Sequence, residues 1–409
     1  MAEPVLPLPS PVLPEPLAYL HDPELVARFQ RRCGLFLIQP GGTGTGSGPQ
    51  NSTGTGARGH LRAQCDQDNN NSNDKYRQNG HAVDESSRPQ YEAKNWLLHV
   101  LFLLSAGLGH EVFYICCLPC IHWNLDPFLC RRLVNVWTLV MYVGQVLKDI
   151  LKLPRPPSPP VVKLETRVDA EYGLPSTHAM AATAITFTLL LSAPSRVQIQ
   201  VEVGLLMAVT LSSLVCLSRL YTGMHSVLDV LCGVVISGLL MLITYPYWDT
   251  FDHFQLTSPW SPVSAVTLLL LLSYTYPELD HYSTTRGDTT TILGVCAGCS
   301  VGYWANQQLG DVDAPLGVLP VPLPALTTQA VVRGVARYLV GVTALVGTRQ
   351  VVKALSLRAL YAWYDVPRSD DGARRRKRIE VPYKFVTYSA VGVVNSLLVN
   401  RLFILLGLR

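Results

Sequence analysis

The chain has 409 residues, 48% of them hydrophobic and only 15% charged, with a formal net charge of +4. A soluble domain carries about a quarter charged residues, so this composition excludes an ordinary water-soluble globule. A net charge this small selects no class of partner, and no nucleic acid is expected.

Residues 1–94 are rich in Gly, Ser, Thr, Asn and Pro, with tracts such as "GGTGTGSGPQNSTGTG" and "DNNNSND". Such a segment buries too little apolar surface to offset its ordering entropy, so it reads as a disordered polar region. It lacks a basic stretch followed by an apolar core, so it is not a cleavable signal peptide. Asn51 ("NST") and Asn70 ("NNS") stand in N-x-S/T acceptor sequences.

From Asn95 onward, apolar runs recur at helix-spanning length. Roughly 20 such residues cross a hydrocarbon layer of ~30 Å. Nine runs qualify, at about 97–118, 133–152, 177–194, 201–218, 226–245, 262–277, 289–306, 330–354 and 384–406. The expected fold is all-α, a polytopic transmembrane bundle of about 8–10 spans. It divides into a membrane core over 95–250 and C-terminal spans over 251–409, with a basic loop at 366–383. His110 and Glu111 interrupt the first run, which is expected to bend there toward the interface. The block "ARRRKR", Ala373 to Arg378, reads as a juxtamembrane anchor. The ten cysteines form no disulfide or zinc framework. Cys117–Cys120 and Cys296–Cys299 have CxxC spacing, but they lie in apolar surroundings without partner ligands and read as packing residues.

Three polar clusters stand at the boundaries of the runs. In "KDILKLPRPPSPP", Lys148 ends a span and five prolines then hold the chain extended. Lys148 and Arg155 can therefore share one interfacial pocket. In "EYGLPSTHAMAATA", Ser176 or Thr177 caps a helix whose free N–H groups and partial positive charge suit an anion. His178 lies in its first turn. In "SRLYTGMHSVLD", Arg219 ends one span, and His225 and Asp229 share a face at i and i+4 of the next. Asp229 is expected to accept from one ring nitrogen of His225, leaving the other as a free lone pair. A carboxylate so close to the membrane is seldom idle.

Together the clusters supply three cations, two histidines, a carboxylate and helix-start amides. That inventory fits phosphate monoester hydrolysis. Cations neutralise the phosphoryl oxygens, one histidine attacks phosphorus, and the other serves as acid and base. The reading needs no metal and no cofactor, and the sequence shows no carboxylate-rich magnesium cluster.

These residues also carry a family resemblance. "KDILKLPRP" matches K-x6-R-P, "PSTH" matches P-S-x-H, and "SRLYTGMHSVLD" matches S-R-x5-H-x3-D. The ordered trio resembles the type 2 phosphatidic acid phosphatase superfamily. Thr177, where that superfamily usually has glycine, is similar to the sphingosine-1-phosphate phosphatases. So are "YVGQVLKDILKLPRPPSPPVVKLE", "HAMAATAI", "VARFQRRCGLF" and "IEVPYKFVTY". The resemblance implies that His225 is the nucleophile, Asp229 its orienting partner and His178 the general acid and base. It implies that Lys148, Arg155, Ser176, Thr177 and Arg219 hold the phosphate, Thr177 through its backbone N–H, and that Ser218 secures the third loop. It further implies endoplasmic reticulum residence and a lumenal site. The substrates would be sphingoid base phosphates such as sphingosine 1-phosphate and dihydrosphingosine 1-phosphate, cleaved without a metal. A broader phosphatase acting on phosphatidate or lysophosphatidate, and a non-catalytic transporter or scaffold, stay open as alternatives.

Sidedness is a point of conflict. Nine spans put the motifs, the N-terminal segment and the basic loop on one side, which the positive-inside tendency assigns to the cytosol.

Overall fold

Inside a bilayer each backbone N–H and C=O must find its partner within the protein, so apolar runs of this length become helices. The computed structural model describes residues 14–38, 91–109, 111–165, 171–310, 318–322, 327–367, 370 and 372–408. The chain opens with two short helices, α1 (Glu15–His21) and α2 (Pro23–Arg32), then strand β1 (Leu35–Leu37). Strand β2 (Tyr91–Ala93) pairs antiparallel with β1, setting Leu35 opposite Ala93.

The helices that follow are α3 (Trp96–Gly107), α4 (Glu111–Asn124), α5 (Pro127–Leu151), α6 (Thr177–Ser192), α7 (Val201–Tyr221) and α8 (Val227–Thr244). The C-terminal half adds α9 (Trp248–Thr257), α10 (Ser261–Tyr274), α11 (Thr285–Gln308), α12 (Thr328–Trp363), α13 (Lys377–Val393) and α14 (Val399–Leu405).

Helices stand at all nine expected runs, but they divide into two kinds. Among the described residues, four stretches are long and apolar enough to cross a membrane: Val201–Tyr221, Val227–Thr257, Thr328–Trp363 and Lys377–Leu405. The chain is a multi-pass membrane protein. Two further apolar helices, α3 and α10, are shorter. Helices α5 and α11 are long but polar within, because neighbouring helices enclose them. Helix α5 buries Arg131, Arg132, Gln145, Lys148 and Asp149, and α11 buries Thr285, Thr289, Thr290 and Asn306. The first run divides between α3 and α4, with a turn at residues 108–109 beside the place where a bend was expected. His110 lies outside the described residues.

The N-terminal region departs from the expectation of disorder wherever it is described. Asp22 caps α2 by accepting from the Glu24 N–H at 2.9 Å, and Pro23 suits the first helical position. This helix buries Val26 and Ala27 against Val161, Ala179, Cys216, Leu220 and Val230. The reason is amphipathicity, since α2 is polar overall yet sets its few apolar side chains on one face. Residues 39–90, with Asn51 and Asn70, lie outside the described residues.

Gln30 secures this packing. Its Nε2 donates to the Val162 carbonyl at 2.7 Å and to the Tyr221 carbonyl at 2.8 Å, while its Oε1 accepts from the Val162 N–H at 2.9 Å. Both partners flank the polar loops, so the N-terminal helices close over the same end of the bundle as the three motifs. Leu164 N–H donates to the Thr222 carbonyl at 3.1 Å, joining the first motif's loop to the third's.

The opposite end is held by other charges. Arg132 bonds Asp252 at 2.6 Å and Asp249 at 2.5 Å, and Arg196 bonds Asp126 at 2.8 Å. The 25 residues of α5 separate the two ends by about 37 Å at the ordinary helical rise.

Replacing Gln30 with leucine strips three hydrogen bonds and leaves backbone groups of Val162 and Tyr221 buried without partners. A loss of about 2–3 kcal/mol is expected, read as a lower denaturation midpoint of the purified protein in detergent.

Candidate active site

The site begins where α5 runs out. Lys148 occupies the last turn of α5 and is 2% exposed. Lys152 takes a left-handed conformation at φ 52° just past the helix end. The proline-rich segment then carries Arg155 back toward the bundle, where its Nη1 donates to the Met224 carbonyl at 3.0 Å. Its Nε donates to the Glu171 carbonyl at 2.9 Å. Both first-motif cations therefore face one place, as their spacing predicted.

The second motif is a helix start. Ser176 is the N-cap of α6, and its hydroxyl accepts from the Ala179 N–H at 3.5 Å. Thr177 is the first helical residue, and its Oγ1 accepts from Lys148 Nζ at 3.5 Å. The Ser176 N–H donates to the Asp229 carbonyl at 3.0 Å, which ties this start to α8. Gly233 on α8 allows that approach, because a Cβ there would lie 2.8 Å from the Ser176 carbonyl. The uncapped amides of the first turn and their partial positive charge open beside Lys148.

The third motif is the turn from α7 to α8. Arg219 is 1% exposed; its Nε donates to the Ser218 hydroxyl at 3.5 Å, and Ser218 Oγ donates in turn to the Val215 carbonyl at 2.6 Å. Gly223, at φ +71°, makes the tight reversal and abuts the Val162 carbonyl, which a Cβ would meet at 2.2 Å. His225 lies in this turn, outside the helices, and is 1% exposed. Burial, followed by the positive charges of Arg155, Lys148, His178 and Arg219, pushes its imidazole well below the ordinary pKa. The ring is thus neutral at physiological pH, with a lone pair to offer.

The expected hydrogen bond from His225 to Asp229 is not formed. Nδ1 and the Asp229 Oδ2 are 3.6 Å apart, neighbours but too far apart for a hydrogen bond. Asp229 is engaged in a capping box instead. Its Oδ2 accepts from the Ser226 N–H at 2.7 Å, and its own N–H donates to Ser226 Oγ at 3.2 Å. The i and i+4 spacing that brings the two side chains together also places Asp229 at the N3 position, where the cap takes its carboxylate.

All the sequence-predicted residues therefore meet at one end of the bundle, and the structure adds others. His21 of α1 reaches Ser226, with Nδ1 at 3.2 Å from Oγ, so the N-terminal cap touches the turn beside His225. Gly109, at the break between α3 and α4, lies against His178, and a Cβ there would sit 2.6 Å from the ring's Cδ2. Glu171 places Oε2 3.6 Å from Lys148 Nζ and 3.5 Å from Arg155 Nη2, while Glu165 Oε1 is 3.3 Å from Arg219 Nη2. No motif spacing marks His21, Gly109, Glu165 or Glu171. Three of them do stand near a signal: Gly109 precedes His110, Glu165 ends the stretch "YVGQVLKDILKLPRPPSPPVVKLE", and Glu171 opens "EYGLPSTHAMAATA". Among the described residues, no three His, Cys, Asp or Glu side chains group as a metal site.

Three comparisons bear on this geometry. The PAP2 superfamily profile matches residues 130–252, which contain all three motifs. Human sphingosine-1-phosphate phosphatase 2 is 49% identical over 96% of this chain and 99% of its own length. Rat sphingosine-1-phosphate phosphatase 1 is 40% identical over 78% of this chain and 74% of its own. A dihydrosphingosine 1-phosphate phosphatase of Schizosaccharomyces pombe is 31% identical over about half of each chain. No solved structure matches.

A methyl group at Gly109 would drive the His178 ring from its place. Gly109→Ala is expected to lower kcat roughly tenfold to a hundredfold with KM little changed, measured by steady-state phosphate release.

Proposed function

Because the chain belongs to the sphingosine-1-phosphate phosphatase family, we propose that it removes phosphate from sphingoid base 1-phosphates, sphingosine 1-phosphate and dihydrosphingosine 1-phosphate among them, through a phosphohistidine. The observation that carries the reading is His225 buried in the turn from α7 to α8, beside the Met224 carbonyl that Arg155 holds and at the same end of the bundle as Lys148, His178 and Arg219.

The chemistry follows from the roles. Lys148, Arg155 and Arg219 take the phosphoryl oxygens, with the hydroxyl of Ser176 and the N–H of Thr177 at the α6 start. With Nδ1 turned toward Asp229, Nε2 of His225 attacks phosphorus in line with the departing oxygen. The P–O bond to the lipid breaks, and His178 protonates the leaving alkoxide. His178 then takes a proton from water, whose oxygen attacks phosphorus, breaks the P–N bond and releases inorganic phosphate. Asp229 stabilises the charge that His225 acquires. A phosphohistidine route asks nothing of a metal.

The apolar chain of a single-tailed lipid stays among the helices while its head reaches the cations. That depth, together with the relatives' names, supports the sphingoid substrate over a soluble phosphate ester. The family likeness supports residence in the endoplasmic reticulum with the site toward the lumen.

A purified-protein assay with a panel of sphingosine 1-phosphate, lysophosphatidate and phosphatidate tests the reading. Phosphate release from the sphingoid substrate is expected to persist in excess chelator and to vanish in His225→Ala. Equal rates on all three lipids would sink the narrow substrate assignment, and a fully active His225→Ala would sink the mechanism.

Sidedness has its own test, because β1 and β2 join the N-terminal helices at the site's end of the bundle. Leu37 and Tyr91, which pair across the two strands, therefore stand on the site's side. A cysteine placed at Ser52 is expected to resist a membrane-impermeant thiol reagent in intact microsomes and to react after permeabilisation. Labelling without permeabilisation would put the site in the cytosol.

A further inference from the structure

We infer that Glu171 is a specificity-determining residue, whose carboxylate receives the ammonium group of a sphingoid base phosphate. This rests on the substrate class proposed above and names how that class is told apart from other lipid phosphates.

Glu171 is held in two ways. Its backbone carbonyl accepts from Arg155 Nε at 2.9 Å, so the residue is fixed to the phosphate cradle itself. Its side chain reaches between Lys148 and Arg155, at 3.6 and 3.5 Å from their nitrogens, and is 14% exposed. The second carboxylate oxygen accepts from Thr284 Oγ1 at 2.7 Å, a hydroxyl at the N-cap of α11. Glu165 pairs with Arg219 in the same manner on the other flank. Each cradle cation thus faces a loop carboxylate where phosphate oxygens must bind.

An incoming phosphate dianion competes for Lys148 and Arg155. The Glu171 side chain must swing aside, but its anchored backbone keeps it beside the phosphate. Two anions side by side in a poorly solvated pocket repel strongly unless a cation arrives with the ligand. A sphingoid base phosphate brings one, since its amine lies on the carbon next to the one that bears the phosphate ester. Phosphatidate and lysophosphatidate carry an acyl ester or a hydroxyl there, with no charge. The five paired groups agree with this: three cations and two carboxylates leave one net positive charge, which a head of phosphate dianion plus ammonium balances. Selectivity then arises from a repulsive element that only the correct head neutralises.

The test compares kcat/KM for sphingosine 1-phosphate with that for its analogue bearing a hydroxyl in place of the amine, both in the same detergent micelles. Glu171→Gln is expected to lower turnover of the amine substrate and raise that of the analogue. The preference should fall by roughly tenfold to a hundredfold. Glu171→Asp, which retains the charge, is expected to keep most of the preference. An unchanged ratio in Glu171→Gln overturns the inference, whether both rates climb, as for a merely competing anion, or both drop, as for structural damage. If Glu171→Gln fails to accumulate, Thr284→Val replaces it, and an unshifted ratio there overturns the inference equally. The substrate reading is judged separately on the wild-type protein. Hydrolysis of lysophosphatidate without any hydrolysis of sphingosine 1-phosphate would overturn that reading and this inference with it.

Discussion

Everything at the active end answers to one constraint: cations removed from water must meet an anion. Lys148 and Arg219 are among the largest fully buried side chains of the protein, and an unpaired charge at such depth costs several kcal/mol or more. Arg155 and the α6 amides add to the same positive region. Glu165 and Glu171 answer that charge in the structure. That demand for an anion is the reason we propose this end of the bundle as the place of the phosphate. Burial first, and then the same positive charges, hold the His225 imidazole well below its ordinary pKa.

Meeting that constraint recruits distant parts of the chain. Asp149, beside Lys148, accepts from Tyr276 at 2.7 Å and from Thr285 at 2.6 Å, so the lysine's helix end is bonded to the loop that starts α11. Thr284 steadies Glu171, and the ring of Tyr172 meets His281 edge-on at 6.1 Å. Arg286 pairs with Glu380 at 2.6 Å and donates to the Arg375 carbonyl at 2.9 Å, bringing the basic loop to the same end. The C-terminal half therefore buttresses the cradle, although the motifs all lie before it. The N-terminal helices do the same from the other flank through His21 and Gln30.

Much of the site was legible because its signals are local. A Ser before an apolar run starts a helix whatever surrounds it, and Ser176 does so. Prolines after Lys148 end α5 near the expected place. Polar residues at 110 and 111 interrupt an apolar run, and α3 ends just before them, at Gly107. Local signals also misled. The His225–Asp229 spacing suggested a hydrogen bond, but the same carboxylate sits where a capping box needs it, and the cap's short bond to Ser226 prevailed. The polar composition of residues 1–94 pointed to disorder, yet α2 needed only Val26, Ala27 and Gln30 on one face to dock.

The sequence by itself determined the helical membrane class and the three polar motifs from which the site is proposed. These depend on hydropathy, capping and side-chain type, which are properties of single residues and near neighbours. Tertiary structure alone decided that Gly109 backs His178, that Glu171 stands between two cations and that the N-terminal helices roof the site. Those contacts join residues far apart in the chain, at no regular spacing, so only the folded packing of one helix against another brings them into view.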